Sequence, residues 1–381
     1  MILKKEIINY IINNAEKEFD PYYIYDSEVI REHCRVFQNI SYKNKSIHFA
    51  SMANVNLDFL RIVKEEKVKV FVNSVLHLQA AQEVGYRKEE IIFTASALSE
   101  KKMIFAQSCG VQLNLDSPSQ LALWSKLFPN EPVGIRCNIG DKIKPYSTHA
   151  GFFIGKESRL GFTSEEIALI PDRSIVNGLH IYVGTDIVDV DYFINCYKEL
   201  TEIATHFPNL EYLNFGGGFG VSENGERQFD ISEYNKRVTQ LMIEASEHCG
   251  KNLRLILEPG RIIGGDAGFF VCNVTDVKKR GKNFLVGLNA STVQFSRPLM
   301  YPDTAIHPVM IIRDGVQLFS SLNYTTDLYG CSTYSRDMFR RNVQLPEIKI
   351  GDIIVFGNAG SYSASSHCKF LGFPKPEEYF L

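Results

Sequence analysis

The sequence predicts an α/β protein, a (β/α)8 barrel of the TIM type followed by a C-terminal all-β domain. Short apolar runs alternate with amphipathic helical patterns through the first two-thirds of the chain. Eight such units fit into about 220 residues, the scale of a closed barrel; an open doubly wound sheet would seldom need eight similar strands. After Arg261 the rhythm gives way to short β-like runs separated by turn signals such as Arg313-Asp314-Gly315.

Taken in order, residues 1–18 carry a helical pattern. Pro21-Tyr22-Tyr23-Ile24-Tyr25-Asp26 is rich in β-formers, and Ser27 is placed to cap a helix running to about Gln38. Strands are then expected at 47–51, 68–73, 91–96, 112–117, 134–139, 178–183, 210–216 and 253–258. Between them lie helical segments such as Leu57–Glu66, Leu76–Gly85, Ser99–Ser108, Pro118–Phe128 and Asp191–Phe207, with Ser99 and Ser117 as N-caps. A further helical pattern begins near Ile231. The later β-runs are 268–276, 283–289, 308–313, 315–320 and 352–356. The expected domains are a barrel over 27–263 and a β domain over 1–26 plus 264–381, with segment 21–25 adding a strand to the latter.

The chain has 381 residues, a net charge of −3, and hydrophobic and charged fractions of 45% and 22%. Those values suit a globular protein with a full core, and give no electrostatic case for nucleic acid or an anionic membrane. The eight cysteines are scattered, with no CxxC and no metal-ligand spacing, so no metal is expected. Several lie within apolar runs, where a buried free thiol is the ordinary reading. The N-terminus lacks the long apolar core of a signal peptide, and no window has the apolar length of a membrane helix. A reducing, cytoplasmic setting is the expectation.

In a barrel of this kind, functional residues belong where strands end and βα loops begin. The predicted ends are Met52-Ala53-Asn54, Asn73-Ser74, Asp116-Ser117, Asn138, Tyr182-Val183-Gly184-Thr185, Gly216-Gly217-Gly218 and Glu258-Pro259-Gly260-Arg261. Glycines at a strand end let the backbone approach a ligand, and their N–H groups can cradle a phosphate. A plain tight turn is the alternative. The arginine and carboxylate of the next strand end, with Gly360-Ser361-Tyr362 near the C-terminus, favour the ligand reading. The set suits a phosphate-bearing cofactor with a basic ring nitrogen, and the loops after strands seven and eight are the usual barrel phosphate site.

Several of these motifs, in order over almost the whole chain, resemble the alanine-racemase-type (fold type III) pyridoxal-phosphate enzymes. The resemblance is strongest to the diaminopimelate/ornithine decarboxylase branch and its siderophore-pathway relatives. It is carried by Pro21–Asp26, Gly178-Leu179-His180, Gly216–Gly218, Glu258–Arg261, Arg297-Pro298-Leu299-Met300-Tyr301, Gly330-Cys331, Gly360–Ser363 and Gly372–Pro376. It implies pyridoxal phosphate as cofactor, with the glycine loop, Thr185 (in place of the usual serine), Gly260, Arg261 and Tyr362 about its phosphate. Glu258 would pair with the pyridine nitrogen and keep the ring able to accept electrons from a bond broken at Cα. Cys331 matches an acid near Cα that is donated across a homodimer interface. Arg297 and Tyr301 match a pair that grips a distal substrate carboxylate, a task suited to a bidentate guanidinium. The structural alternatives are a surface ion pair for Glu258, a buried thiol for Cys331 and a structural arginine at position 297.

The departures from that pattern are as informative. The family's Schiff-base lysine closes a motif matched here by Phe49-Ala50-Ser51-Met52-Ala53-Asn54, with Met52 at the lysine position. A thioether cannot form an imine. No other strand end supplies a lysine, and Lys142 and Lys144 match nothing. Tyr182 stands where a histidine usually stacks on the ring, and Phe71 and His77 replace an aspartate and a glutamate. Asp337, matched to a substrate-side acid, lies six residues after Cys331, two more than usual. Three readings follow. Met52 is an introduced substitution in a decarboxylase; or it is native, in an enzyme with altered chemistry on the same pocket; or the protein is a binding or regulatory pseudoenzyme. In the first two, pyridoxal phosphate would bind non-covalently or as a preformed external aldimine with an amino acid. The expected ligand is an amino acid with a distal carboxylate, diaminopimelate-like or a siderophore precursor.

Overall fold

The structure, a computed structural model, describes residues 1–14, 19–222, 228–319 and 322–381. The chain separates into two compact units, Arg31–Gly220 with Gln228–Ile263, and Met1–Ile30 with Val221–Arg227 and Gly264–Leu381. The division differs slightly from the one expected at 27 and 263. Ser27 N–H donates to the Leu381 carbonyl at 2.9 Å, and Asn358 Nδ2 donates to the Ser222 carbonyl at 3.1 Å. These bonds tie the first helical turn and a piece of the 221 loop to the β unit.

After β1 (Tyr22–Tyr25) come β2 (Lys45–Ala50), β3 (Lys69–Val72), β4 (Ile91–Thr94), β5 (Gln112–Leu115), β6 (Val133–Arg136), β7 (Val176–His180), β8 (Tyr212–Asn214) and β9 (Arg254–Leu257). β2 to β9 pair in sequence order, all parallel, and β9 closes on β2. All eight expected barrel strands are present, seven of them shorter than the apolar runs suggested, while β2 begins earlier, at Lys45. The reason is local, since residues beyond each strand turn into βα loops that carry polar groups. The helices follow the caps. Ser117 Oγ accepts from Gln120 N–H, and Asn56, Ser74, Asp189 and Asp230 cap their helices in the same way. Two expectations shift. Ser99 sits at the N-cap without a side-chain bond, and Asp26, not Ser27, caps the helix Ser27–Gln38 by accepting from Val29 N–H at 3.2 Å.

The barrel interior is filled by large side chains over small ones. Tyr212 packs with Ile92 and Ile256 against Phe71. Its ring lies over Gly178 and its hydroxyl over Gly134, where any Cβ would collide with it. The Tyr212 hydroxyl donates to Asn114 Oδ1 at 2.8 Å, so the buried phenol is satisfied.

The second unit contains β10 (Gly268–Arg280), β11 (Asn283–Leu288), β12 (Val309–Arg313), β13 (Val316–Gln317), β14 (Tyr324–Tyr329), β15 (Met338–Leu345), β16 (Ile353–Phe356) and β17 (Glu377–Phe380). The strands run in the order β13-β12-β16-β10-β11-β14-β15, mostly antiparallel, and β1 pairs with β10 antiparallel and with β17 parallel. Segment 21–25 thus adds its strand to this sheet. β14, β15 and β17 were not expected, and the expected run 315–320 shrinks to Val316–Gln317, its last residue lying outside the described residues. Helix Lys5–Asn14 packs Ile7 and Ile11 onto the sheet with Ile24, Val271 and Val355; residues 15–18 of the expected helix lie outside the described residues. Among the described residues no helix is long and apolar enough to cross a membrane, and no group of three His, Cys, Asp or Glu side chains could hold a metal ion. The eight cysteines are free thiols.

Candidate active site

β8 delivers a buried asparagine to the C-terminal end of the barrel. Phe215, next in the chain, stacks on Tyr197 at 4.1 Å with the rings nearly parallel, which anchors the strand end. Asn214 then works in two directions. Its Oδ1 accepts from Gly216 N–H at 2.9 Å, and its Nδ2 donates to Glu258 Oε1 at 2.6 Å. Glu258 N–H in turn donates to the Gly216 carbonyl at 2.8 Å. His180, at the end of β7, places Nε2 3.4 Å from Glu258 Oε2. Glu258 is only 3% exposed. A buried carboxylate is costly unless it is bonded and oriented, and here the Asn214 amide bonds it while the His180 ring lies beside it. Asn214 and His180 were not singled out as site residues. A polar residue inside the apolar run, one residue before the glycines, was the available signal for Asn214.

The glycines are required by the protein itself. A Cβ at Gly216 would collide with the Ile181 carbonyl oxygen, at Gly217 with that of Glu258, and at Gly218 with that of Gly184. Gly216 and Gly218 also have φ of +65° and +108°, which L-residues rarely adopt. The loop does not run straight into a helix. It zips to the loop after β7, Ile187 N–H to the Gly218 carbonyl and Gly220 N–H to the Ile187 carbonyl, both at 2.9 Å, before the helix starts at Ile231. Thr185 lies half-buried in that neighbouring loop. Beside it, Asp186 takes Arg261 Nε at 2.7 Å, and His149 Nε2 is 3.8 Å away. The Arg261 charge is therefore shared with Asp186, a carboxylate not expected at this site from the sequence. Gly260 accepts from Ile263 N–H at 3.0 Å and starts the short turn that carries Arg261.

Met52 follows the end of β2 and is half-buried. The chain there is tied on both sides: Ala50 N–H donates to the Pro259 carbonyl at 3.0 Å, and Ser51 N–H donates to the Phe71 carbonyl at 3.0 Å. Met52 thus stands at the same end of the barrel as Glu258. Ser51 Oγ also donates to the Phe71 carbonyl (2.9 Å) and lies 3.1 Å from His77 Nδ1. A hydroxyl has one proton, so with that proton on Phe71 the histidine donates Nδ1–H and keeps a lone pair on Nε2. Burial pushes the His77 pKa down, favouring this neutral form. Tyr182 is half-buried and meets Phe153 edge-on at 4.9 Å.

The other expected residues lie in the β unit. Arg297 is buried, with its guanidinium carbon 5.6 Å from the centre of the Tyr301 ring. Asp337 is turned inward. Oδ1 accepts from Thr292 N–H and Oγ (both 2.7 Å), and Oδ2 accepts from Ser332 N–H (3.1 Å) and Oγ (2.5 Å). Four donors saturate the carboxylate, so it fastens the loop after Cys331 and offers no free oxygen to a substrate. Cys331 is exposed, its N–H bonded to the Ala290 carbonyl at 2.9 Å. Partial burial and the nearby Asp337 carboxylate push its thiol up, so it stays protonated near neutral pH. Tyr362 holds φ at +54°, an uncommon conformation for a non-glycine residue and one that gathers at functional sites.

The barrel residues fit a phosphorylated pyridine in part. The glycine cradle and the oriented, buried Glu258 suit a phosphate and a ring nitrogen; a covalent anchor has no counterpart at Met52. The model for "Pyridoxal-dependent decarboxylase, pyridoxal binding domain" matches residues 27–265. The diaminopimelate decarboxylase of Methanothermobacter thermautotrophicus is 29% identical over 96% of this chain and 88% of its own length. That of Deinococcus radiodurans is 28% identical over 96% and 90%. Among solved structures, a diaminopimelate decarboxylase superposes with a TM-score of 0.88 at 22% identity, covering 99% of this chain and 91% of that one. The Paramecium bursaria Chlorella virus arginine decarboxylase bound to agmatine gives 0.82 at 20% identity, covering 99% and 100%. At such identities the superpositions speak for the fold alone.

Proposed function

Since the chain belongs to the pyridoxal-dependent decarboxylases, whose pyridoxal-binding domain matches residues 27–265, we propose that it holds pyridoxal phosphate non-covalently and acts on an amino acid with a distal carboxylate. Family membership makes pyridoxal phosphate the cofactor and amino-acid decarboxylation, a lyase reaction, the reference activity. When bound, that cofactor supplies an electron sink for a bond broken at the amino acid's Cα. Everything else falls to the chain. Gly216–Gly218, Thr185, Gly260, Arg261 and Tyr362 are assigned to the phosphate, and Tyr182 offers an aromatic face to the ring. Glu258, steered by Asn214 and His180, is assigned to the ring nitrogen, where a carboxylate stabilises the protonated form. Cys331 would hold the proton to be returned to carbon, Asp337 would position its loop, and Arg297 with Tyr301 would grip the distal carboxylate of a diaminopimelate-like substrate or siderophore precursor. A homodimer goes with these assignments, because the family's cysteine acts across the subunit interface.

The observation that carries this reading is the buried Glu258, held by Asn214 in the same network as the glycine loop. A protein that binds nothing has no need of an oriented carboxylate there. Met52 occupies the place of the lysine, so ordinary turnover is not expected; His77, with its lone pair on Nε2, is the nearest candidate base on that side. One observation favours the binding-only alternative. Asp186 competes for Arg261 and sets a negative charge beside the phosphate cradle, which weakens anion binding.

The experiment is Met52→Lys, with cofactor binding read by absorption and calorimetry, covalent attachment by borohydride reduction and mass spectrometry, and turnover by CO2 release. The wild type should bind the cofactor and show no covalent attachment. The lysine variant should attach it covalently. A gain of roughly 10²-fold or more in CO2 release would mark a decarboxylase altered at one position, whereas attachment without turnover would mark a pocket rebuilt for other chemistry. Absence of binding in both proteins would refute the cofactor reading.

A further inference from the structure

The other end of the barrel, where the strands begin, has a cleft that the reading above does not use. It encloses about 290 Å3 and is lined by Lys88, Glu89, Gln112, Trp124, Asn177 and Arg254 among others. Arg254 opens β9 and Gln112 opens β5, so the cleft lies a strand's length from Glu258. Arg254 has one face near the Tyr212 ring, with its guanidinium carbon 5.6 Å from the centroid, and gives one N–H to Gln112 Oε1 at 3.1 Å. Its Nε is buried without a hydrogen-bond partner. An unsatisfied guanidinium donor on a cleft needs an explanation, because buried donors in folded proteins are almost always paired.

The charge census points the same way. Lys88 and Arg254 line the cleft and Glu89 is the carboxylate among its lining residues. Glu90, the next acid, is engaged by Arg87. Lys69, half-buried at the start of β3, is pushed down by burial and by Arg254, and buried His48 is pushed down to about 3 by burial, Lys69 and Arg254. Lys88, Lys69 and Arg254 thus bring positive charge to this end of the barrel, with Glu89 as the carboxylate in the cleft lining.

We propose that this cleft binds a small oxyanion, a single phosphate or carboxylate group, between Arg254 and Lys88. The donor edge of a guanidinium suits a planar or tetrahedral oxyanion, and the Arg254 Nε–H has no protein partner to compete with one. The cleft, at about 290 Å3, has room for a single phosphate or carboxylate group. The site is independent of the cofactor reading.

The test titrates purified protein with inorganic phosphate, and separately with acetate, at ionic strength held constant with sodium chloride. Melting temperature and the ¹⁵N signal of Arg254 Nε are followed. Either anion should give a saturable rise in melting temperature with a matching shift of the Arg254 signal, and the more effective one identifies the preferred geometry. Lys88→Ala, at an exposed position, should weaken binding about fivefold, as loss of one exposed charge does. Arg254→Lys, which keeps the charge and loses the fork, should abolish saturation; if that variant does not fold, Gln112→Leu replaces it, with binding weakened. A rise no greater than sodium chloride alone produces, or full-strength binding in the variants, would overturn the proposal. A cleft filled by water gives that null result.

Discussion

Two sectors of the barrel's C-terminal end are held by different means. At β8 and β9 the main chain does most of the holding. Gly216 and Gly217 pack on carbonyl oxygens of neighbouring strand ends, Glu258 N–H bonds the Gly216 carbonyl, and Asn214 locks both. At β2 and β3 main-chain bonds also fix the strand ends, Ser51 to Phe71 and Ala50 to Pro259, but the side chains of residues 52, 71 and 77 take no part in them. The first sector can hardly change without disturbing the backbone. The second can change its side chain at Met52 without touching those main-chain bonds. Chemistry can therefore be lost or redirected at β2 and β3 alone.

That contrast can be broken by mutation. The largest effect is expected at Gly217→Ala, whose new Cβ would meet the Glu258 carbonyl oxygen. A loss of about 3 kcal/mol is expected from such overpacking, read as a lower urea midpoint at unchanged slope. A midpoint within error of wild type would show that the main chain there is yielding. Next comes Asn214→Ala, which removes the amide from the buried Glu258 and the acceptor from Gly216 N–H. It should cost about 2 kcal/mol, and Glu258→Gln in the same background should recover part of that by removing the charge. In the other sector Met52→Leu should cost about 1 kcal/mol or less, and a larger loss would mean that Met52 is a packing residue.

The smallest effect is a titration. His77 has its pKa lowered by burial, so it binds a proton less readily folded than unfolded. Its contribution to stability is then complete above the unfolded value of about 6.5 and is lost as pH falls through the lower folded value. NMR titration should show His77 protonating below free histidine, with Nδ1 protonated in the neutral form. A dominant Nε2–H tautomer would reverse the assignment of the Ser51 bond.

The eight barrel strands were legible because each is an apolar run bounded by turn or cap residues, a pattern that burial on both faces imposes. β14, β15 and β17 were not. Tyr324–Tyr329 alternates with threonine and aspartate, Met338–Leu345 carries Arg340, Arg341 and Asn342, and Glu377–Phe380 starts with two glutamates. Strands that are open to water on one side or at a sheet edge carry such residues. Within the candidate site, the glycines and Glu258 announced themselves by type and position. The Ser51–His77 and Arg261–Asp186 contacts did not, because each joins residues far apart in sequence, and nothing in a single chain ties their choices together. Asp337 shows the converse error. A carboxylate at a suggestive spacing proved to be consumed by four local donors.

β1 sits between β10 and β17, so Tyr22–Tyr25 is completed only by residues 268–271 and 377–380. During synthesis the barrel strands have all emerged once β9 ends at Leu257. The aromatic segment before them must then wait, with open strand edges on both sides, until residues 377–380 have been made. Removing the final five residues would leave Tyr25 without its ring partner Phe380 and without the Leu381 N–H bonded to its carbonyl. Such a truncated chain should build its barrel and accumulate as a sticky, protease-sensitive species. Completion of the β unit thus depends on β17, four residues of strand to which none of the proposed chemistry is assigned.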